Sequence, residues 1–392
     1  MNAVLSLIER RYPLFYELGT RRLGLVLGLF AALYLGVAAS MWAELIATSE
    51  NLFTRAGPII GGDFIVFQHV ATRAGDGDLA SLYEMKNLKA ELMARYPGRG
   101  EMNFGWMYPP TMFLLVEPFG EAPYLGAYAA WVVAFASLFL IVLYRLWAAP
   151  GALFFTVTAP PFFHAIITGQ NGLLTGALLA LAGGFARSRP ILAGVAAGLL
   201  TIKPQLGLLI PVAFAAAGCW RAFFTAGATA FLLAGASVAA FGWEIWLSFV
   251  DGLVAHGGRM AIDGFPFHKL VTPFGLVTML GAPTAVANVV QLAALLALAG
   301  YVYVVWKRAQ DAGVGLAALS TAAILATPYA FYYEFVIVLP ALVVIAQRAT
   351  EQGWLRGERL SLVALWILAL QAPGEDAVPS LSPGAAAALL AF

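Results

Sequence analysis

The fold class that the sequence predicts is an all-α polytopic membrane protein with about 11–12 transmembrane helices and further helices lying on the outer membrane face. Three observations carry this expectation. Of the 392 residues, 61% are hydrophobic and only 11% charged, where soluble domains carry about 25% charged residues. The mean hydropathy is +0.83. Long apolar runs recur along the chain, separated by short basic stretches. The 22 Lys and Arg nearly cancel the 21 Asp and Glu, leaving a net charge of +1, so no nucleic-acid partner is expected. The one cysteine, Cys219, cannot form an internal disulfide and reads as an apolar filler.

The first long run, Leu23 to Ile46, follows Arg10, Arg11, Arg21 and Arg22, which predicts a cytoplasmic N-terminus by the positive-inside rule. The run is long enough to cross, so no cleavable signal peptide is expected. Residues 47–122 then form a first extracytoplasmic loop. Further spans are predicted at Tyr124–Trp147, Gly151–Thr168, Asn171–Ala186, Pro190–Cys219, Ala222–Gly242, Thr284–Trp306, Gly313–Pro328, Tyr333–Gln347 and Leu360–Ala372. Pro190–Cys219 is divided at Lys203-Pro204 and is read as two crossings, so the spans reach eleven, with Leu381–Phe392 as the start of a twelfth. That parity puts Arg145, Arg187, Arg189, Arg221, Lys307, Arg308, Arg348, Arg356 and Arg359 on the cytoplasmic side. Asp63, Glu244, Asp251, Asp263, Glu334, Glu375 and Asp376 fall outside. Residues 243–283 make a second large extracytoplasmic loop, and one transmembrane domain covers residues 1–392. Thr111–Phe119, behind Tyr108-Pro109-Pro110, and Trp243–Val250 with Leu270–Leu280 mix aromatic and aliphatic residues with few charges. They suit interfacial helices or plain covering loops.

A charge at membrane depth costs roughly 2.5–3.5 kcal/mol, so such residues are candidates for function. Lys203 lies between the apolar stretches Ile191–Ile202 and Leu206–Ala217 and precedes a helix-breaking proline. The pair reads as the apex of two shortened helices lining a cavity open to the outside, where an ammonium suits a phosphate; a snorkelling lysine is the alternative. Asp63 follows two glycines in Gly61-Gly62-Asp63-Phe64. The apolar Phe64–Val70 would tuck against the membrane face, desolvating the carboxylate and raising its pKa towards that of a base. A helix N-cap is the competing reading. His164, Gln170 and Asn171 cluster at one turn, suiting either sugar hydroxyls or a tight Asn-Gly turn. Arg259, Asp263, His268 and Lys269 either cover a site or form a solvated loop. Asp76-Gly77-Asp78 spells a metal–nucleotide motif on the side where nucleotide sugars are absent, and is read as a polar turn. No GxxxxGK[ST], HExxH, CxxC or Rossmann pattern occurs, which argues against ATP hydrolysis and thiolate-bound metal.

The stretch Thr168-Gly-Gln-Asn-Gly-Leu-Leu, then Arg189-Pro-Ile-Leu-Ala-Gly-Val-Ala-Ala-Gly-Leu-Leu-Thr-Ile-Lys203-Pro204-Gln205, then Cys219-Trp220-Arg221-Ala, closely resembles glycosyltransferase family 87. Gly62-Asp63-Phe-x-Val-Phe, Leu82-Tyr83, Tyr108-Pro-Pro and Thr327-Pro328 extend the resemblance in the same order. It implies a GT-C fold and transfer from polyprenyl-phosphate sugars, mannose foremost, to a lipid or glycan acceptor hydroxyl. It also implies that Asp63 is the general base. Where family members often carry a histidine after the Ser/Thr-Pro, Tyr329-Ala-Phe-Tyr-Tyr333-Glu334 has none; either Glu334 or Tyr333 replaces it or no relay is used.

A polyprenyl phosphate leaves readily, so cations for the phosphate and one carboxylate for the acceptor proton suffice. One base with in-line attack implies inversion at the anomeric carbon. Lys203, with Lys269, His268 or Arg259, is the candidate phosphate ligand, and Gln170, Asn171, His164 and Tyr108 are candidates for sugar and acceptor. No cofactor or metal is expected, the polyprenyl-phosphate sugar being a substrate. The expected location is a bacterial-type inner membrane with the site extracytoplasmic. A lipid-carrier flippase or secondary transporter is the alternative, because broken helices with a midmembrane charge also mark transporters; a non-catalytic assembly subunit is a third reading.

Overall fold

Prolines and glycines set where the helices of this chain begin, break and touch. The computed structural model describes residues 21–368 apart from 56, 58, 75–77, 98–101, 103, 260–264, 266, 310 and 356–357. The expected twelfth span, Glu375, Asp376, Asp76 and Asp263 lie outside the described residues. Among the described residues every regular element is helical. The chain opens with α1 (Arg21–Ala47), followed by α2 (Phe64–Arg73), α3 (Met85–Arg95) and α4 (Thr111–Val116) in the first loop. Next come α5 (Tyr124–Leu146), α6 (Pro150–Val157), α7 (Pro160–Ile167) and α8 (Gly172–Phe185). The divided segment is α9 (Pro190–Leu199), α10 (Pro204–Gly207) and α11 (Ile210–Ala216). It leads to α12 (Trp220–Phe241), then α13 (Glu244–Arg259) and α14 (Pro273–Met279) in the second loop. The last four are α15 (Thr284–Arg308), α16 (Ala312–Ala326), α17 (Leu339–Gln352) and α18 (Glu358–Leu368). Short 3₁₀ turns cover Ala80–Tyr83, Leu200–Ile202, Phe267–Lys269 and Tyr332–Val338.

Among the described residues five helices are long and apolar enough to cross a bilayer: Leu25–Ala47, Tyr124–Leu146, Trp220–Phe241, Thr284–Arg308 and Tyr332–Gln352. The pair α6 and α7, bent by 53°, counts as a sixth if it is one span. The bend falls where Pro160 and Pro161 remove backbone donors from the ladder. Four other predicted spans are shorter, Gly172–Phe185, Pro190–Ile202, Pro204–Ala216 and Ala312–Ala326, and the eleventh is described only to Leu368. Among the described residues five such lengths, or six with the bent pair, thus stand where eleven crossings were expected, the eleventh running past the described residues. The reason lies in packing. A 14-residue helix rises about 21 Å, short of a hydrocarbon core of about 30 Å, yet α8 buries eleven of its 14 residues and α16 ten of its 15. They are the inner helices. In α12 only Ala222 and Ser237 are buried, and Phe231 and Leu232 are 80% and 71% exposed, as suits a lipid-facing wall.

The apolar start of α2 does not lie on the membrane face. Phe64 packs against Tyr124, Tyr128 and Trp131 of α5, and Phe67 stacks on Trp131 at 5.1 Å and meets Trp106 and Tyr108 edge-on or nearly so. Eight consecutive residues, Phe64 to Ala71, are buried. The run includes Gln68 and His69, and the protein covers these as well: both are buried, and His69 Nε2 lies 2.9 Å from Glu91 Oε2. Both segments expected at the interface are helical, as α4 and as α13 with α14.

At the opposite end, Arg187 donates to the carbonyls of Trp306 and Ala309 at 3.0 and 2.9 Å, closing the C-terminal end of α15. The tightest helix pair is α9 on α12. A Cβ on Gly194 would meet Ala222 O and Thr225, and one on Gly198 would meet Ala226 O and Thr229. Gly198→Ala therefore forces the two helices apart, and its unfolding free energy in detergent is expected to fall by about 1–3 kcal/mol. Gly227→Ala, where an added Cβ meets nothing within 4 Å, is the matched control and should leave the unfolding midpoint unchanged or raised.

Candidate active site

The site begins with backbone touching backbone. Gly61 (φ +83°), Gly62 (φ +48°) and Gly169 (φ +59°) all adopt the left-handed region, which residues with a Cβ rarely enter. An added Cβ on Gly169 would lie 2.5 Å from Gly61 O and Phe64 Cβ, and one on Gly62 would lie 3.0 Å from Thr168 Cα. The glycines thus let the loop before α2 lie directly on the turn between α7 and α8. The Asp63 amide donates to Thr168 O at 2.9 Å across this contact. Asp63 stands at the N-cap position of α2, yet its side chain makes no capping bond. Its Oδ2 accepts instead from Gln170 Nε2 at 2.5 Å, and Gln170 Oε1 accepts from the Tyr108 hydroxyl at 3.3 Å. One buried amide therefore links the tyrosine and the carboxylate.

Burial raises the Asp63 carboxyl above the ordinary carboxylate range, opposed by the Gln170 hydrogen bond and then by the charges of Lys269 and Lys203. Burial likewise pushes the Tyr108 phenol up to about 12, so it stays a neutral donor. Its carbonyl accepts from the Tyr83 hydroxyl at 2.9 Å, which fixes the Tyr108-Pro109-Pro110 corner ahead of α4.

Lys203 ends the Leu200–Ile202 turn, and Pro204 starts α10. The lysine is only 6% exposed. That burial goes against the snorkelling alternative. Its Nζ donates to Asn171 Oδ1 at 3.1 Å and forms a buried ion pair with Glu334. The rings of Tyr108 and Tyr333 lie 5.8 and 5.9 Å from the ammonium, within cation–π range. Thr111 Oγ1 donates to Thr201 O at 3.3 Å, tying α4 to the same break. Glu334 is 2% exposed. Glu334 Oε2 and Asn171 Nδ2 have no hydrogen-bond partner among the described residues.

The structure thus gathers Asp63, Tyr108, Gln170, Asn171, Lys203, Tyr333 and Glu334 from five parts of the chain. Lys269 is half-buried and near enough for its charge to act on Asp63. His164 sits one turn before Thr168, edge-on to Tyr332 at 5.5 Å, with neither ring nitrogen bonded among the described residues. The side chains of Arg259 and His268 lie outside the described residues. Asp78 Oδ1 accepts from the Ser81 amide at 3.4 Å at the head of the Ala80–Tyr83 turn, a turn-forming bond. Sequence reasoning missed Thr111 and the role of Tyr83. Both act through ordinary hydroxyl-to-carbonyl bonds, for which no sequence pattern exists.

A family model described as Glycosyltransferase family 87 matches residues 106–328. That span takes in Tyr108, Gln170, Asn171, Lys203 and Lys269 and leaves Asp63, Tyr333 and Glu334 outside. No curated protein and no solved structure matches the chain.

The Lys203–Glu334 pair makes a stability prediction. Removing one member of a buried ion pair typically costs about 3–5 kcal/mol, whereas replacing both by apolar residues is often neutral or better. Glu334→Leu is expected to lower the unfolding free energy in detergent by that amount, and the Lys203→Met/Glu334→Leu double variant to recover most of it. A double variant as unstable as the sum of the single ones would show that the two do not act as a pair.

Proposed function

The chain belongs to glycosyltransferase family 87, a membrane glycosyltransferase by that membership and by its apolar helices, and we propose that its donor is a polyprenyl-phosphate sugar, mannose foremost. The acceptor is a hydroxyl of a lipid or glycan on the extracytoplasmic face of an inner membrane. The observation that carries the reading is the Asp63 carboxylate itself. It is held by Gln170 and by glycine-dependent backbone contact, raised in pKa by burial, and excused from capping its helix.

In the proposed reaction the acceptor O–H gives its proton to Asp63 as its oxygen forms a bond to the anomeric carbon. The bond from that carbon to the phosphate oxygen breaks, and the polyprenyl phosphate leaves with the electron pair. Attack and departure on opposite faces give inversion. The phosphate needs positive charge where its own charge grows. The Lys203 ammonium is already balanced by Glu334, so its share is to hold the Asn171 amide and the two tyrosine rings in place. Lys269, which makes no ion pair with a described residue and whose charge reaches Asp63 ahead of that of Lys203, is the better-placed phosphate ligand. Glu334, engaged with Lys203, is not the base.

Two outcomes test this reading. Loss of a general base typically costs about 10²–10⁴ in rate. Asp63→Asn should keep its fold and donor binding while transfer from a polyprenyl-phosphate sugar by purified protein drops by that factor; transfer within a few-fold of the parent would remove Asp63 from the role. The pH profile supplies a second check. The base works only when ionised, so the rate falls as pH drops through the raised pKa of Asp63. The Gln170 bond favours the carboxylate, so Gln170→Leu raises that pKa further and should move the acid limb to higher pH. An unmoved or lowered limb would mean that another group sets it.

A further inference from the structure

Away from the Asp63 site, a cavity of about 520 Å³ opens between the Ala80–Tyr83 turn with the start of α3 and one side of α13. Its volume falls within the range of roughly 300–1,000 Å³ typical of small-molecule sites. Gly252 creates it. A Cβ there would stand 3.1 Å from Tyr83 Cβ, and Phe249 meets the Tyr83 ring at 5.8 Å, so the two elements touch along this line and splay beyond it.

The lining is mixed, with Ala80, Met85 and Ala255 set among polar groups. Ser81 and Ser248 contribute hydroxyls, Glu84 and Asp251 carboxylates, and Lys86 an ammonium. The serine hydroxyls donate to the carbonyls of Asp78 and Glu244, leaving oxygen lone pairs to accept. Lys86 pairs with Glu84 at 3.0 Å. Two carboxylates against one ammonium leave a net negative charge, which disfavours a phosphate, and the two carboxylates and the ammonium beside the few apolar groups disfavour a prenyl chain. Many acceptors with one ammonium donor suit a neutral, hydroxyl-rich ligand, because every sugar hydroxyl both donates and accepts. The floor of the cleft is Tyr83, whose hydroxyl holds the Tyr108 carbonyl, and the Tyr108 hydroxyl holds Gln170 beside Asp63. One wall therefore frames both places.

We infer that this cleft is an acceptor subsite that binds neutral sugar units of a glycan, behind the unit whose hydroxyl is glycosylated. The inference rests on the transferase reading above, but its test does not require turnover. Calorimetric titration of the full chain in lipid nanodiscs uses mannotetraose, the same glycan as its octyl glycoside, and inorganic phosphate. The parent should bind both glycans. Ser248→Trp, which fills the cleft, and Asp251→Ala, which removes a charged acceptor at little structural risk, should each weaken both by about tenfold, since hydrogen bonds to charged groups are the stronger ones. Gly227→Ala, a change in α12 where an added Cβ meets nothing within 4 Å, should bind them like the parent. No tetrasaccharide binding by the parent, equal binding by both cleft variants, an effect confined to the octyl glycoside, or phosphate binding abolished by the same variants would each overturn the subsite. Transfer by Asp63→Asn at the parental rate, with glycan binding still lost in Ser248→Trp, would instead sink the base assignment and leave the subsite standing.

Discussion

The buried ion pair between Lys203 and Glu334 is the constraint on which the arrangement of this protein depends. An ammonium placed among apolar helices is tolerable only with a counter-charge and hydrogen bonds around it. Lys203 finds both, in Glu334 and in Asn171. Those partners come from the Tyr332–Val338 turn and from the head of α8, so neutralising one cation fixes three breaks in the helical bundle at one point. Each break exposes backbone that no helix satisfies, and buried irregular backbone needs partners from the protein. Their meeting supplies that shelter.

Around this point the polar groups form two sets with different tasks. Lys203, Glu334 and Asn171 are buried and mutually committed. Asp63, Gln170 and Tyr108 lie beside them, joined through one amide, with the carboxylate half-buried. Only the second set presents a charged oxygen not already held by a counter-ion. The division explains why two acidic residues in one site do not compete for one role.

Much of this was legible in the chain. Lys203 announces itself as a cation between apolar runs followed by proline, and Asp63 by the glycines before it. The helix boundaries follow Pro150, Pro160, Pro190, Pro204 and Pro273 closely, because proline at a first helical position leaves little choice. The pairings were not legible. Lys203 and Glu334 lie 131 positions apart, and Gln170 and Asp63 lie 107 apart, and no local pattern encodes contacts at that separation. Nor could composition tell an inner helix from a wall. Gly172–Phe185 and Trp220–Phe241 are both apolar, but small residues on every side let α8 be surrounded, while the bulky Phe231 and Leu232 mark α12 as outward-facing.

The short inner helices also bear on how the chain is made. From α6 to α11, no single helix in consecutive order has the length to stand alone in a bilayer; the next that does is α12. A ribosome delivers them in sequence, so α8, α9 and α11 enter the membrane before α12 has been synthesised. Their partition into lipid then cannot be decided one segment at a time. It depends on full-length neighbours, α5 already made before α8 and α12 made after α9, and the glycine faces of α9 are the surface on which α12 packs.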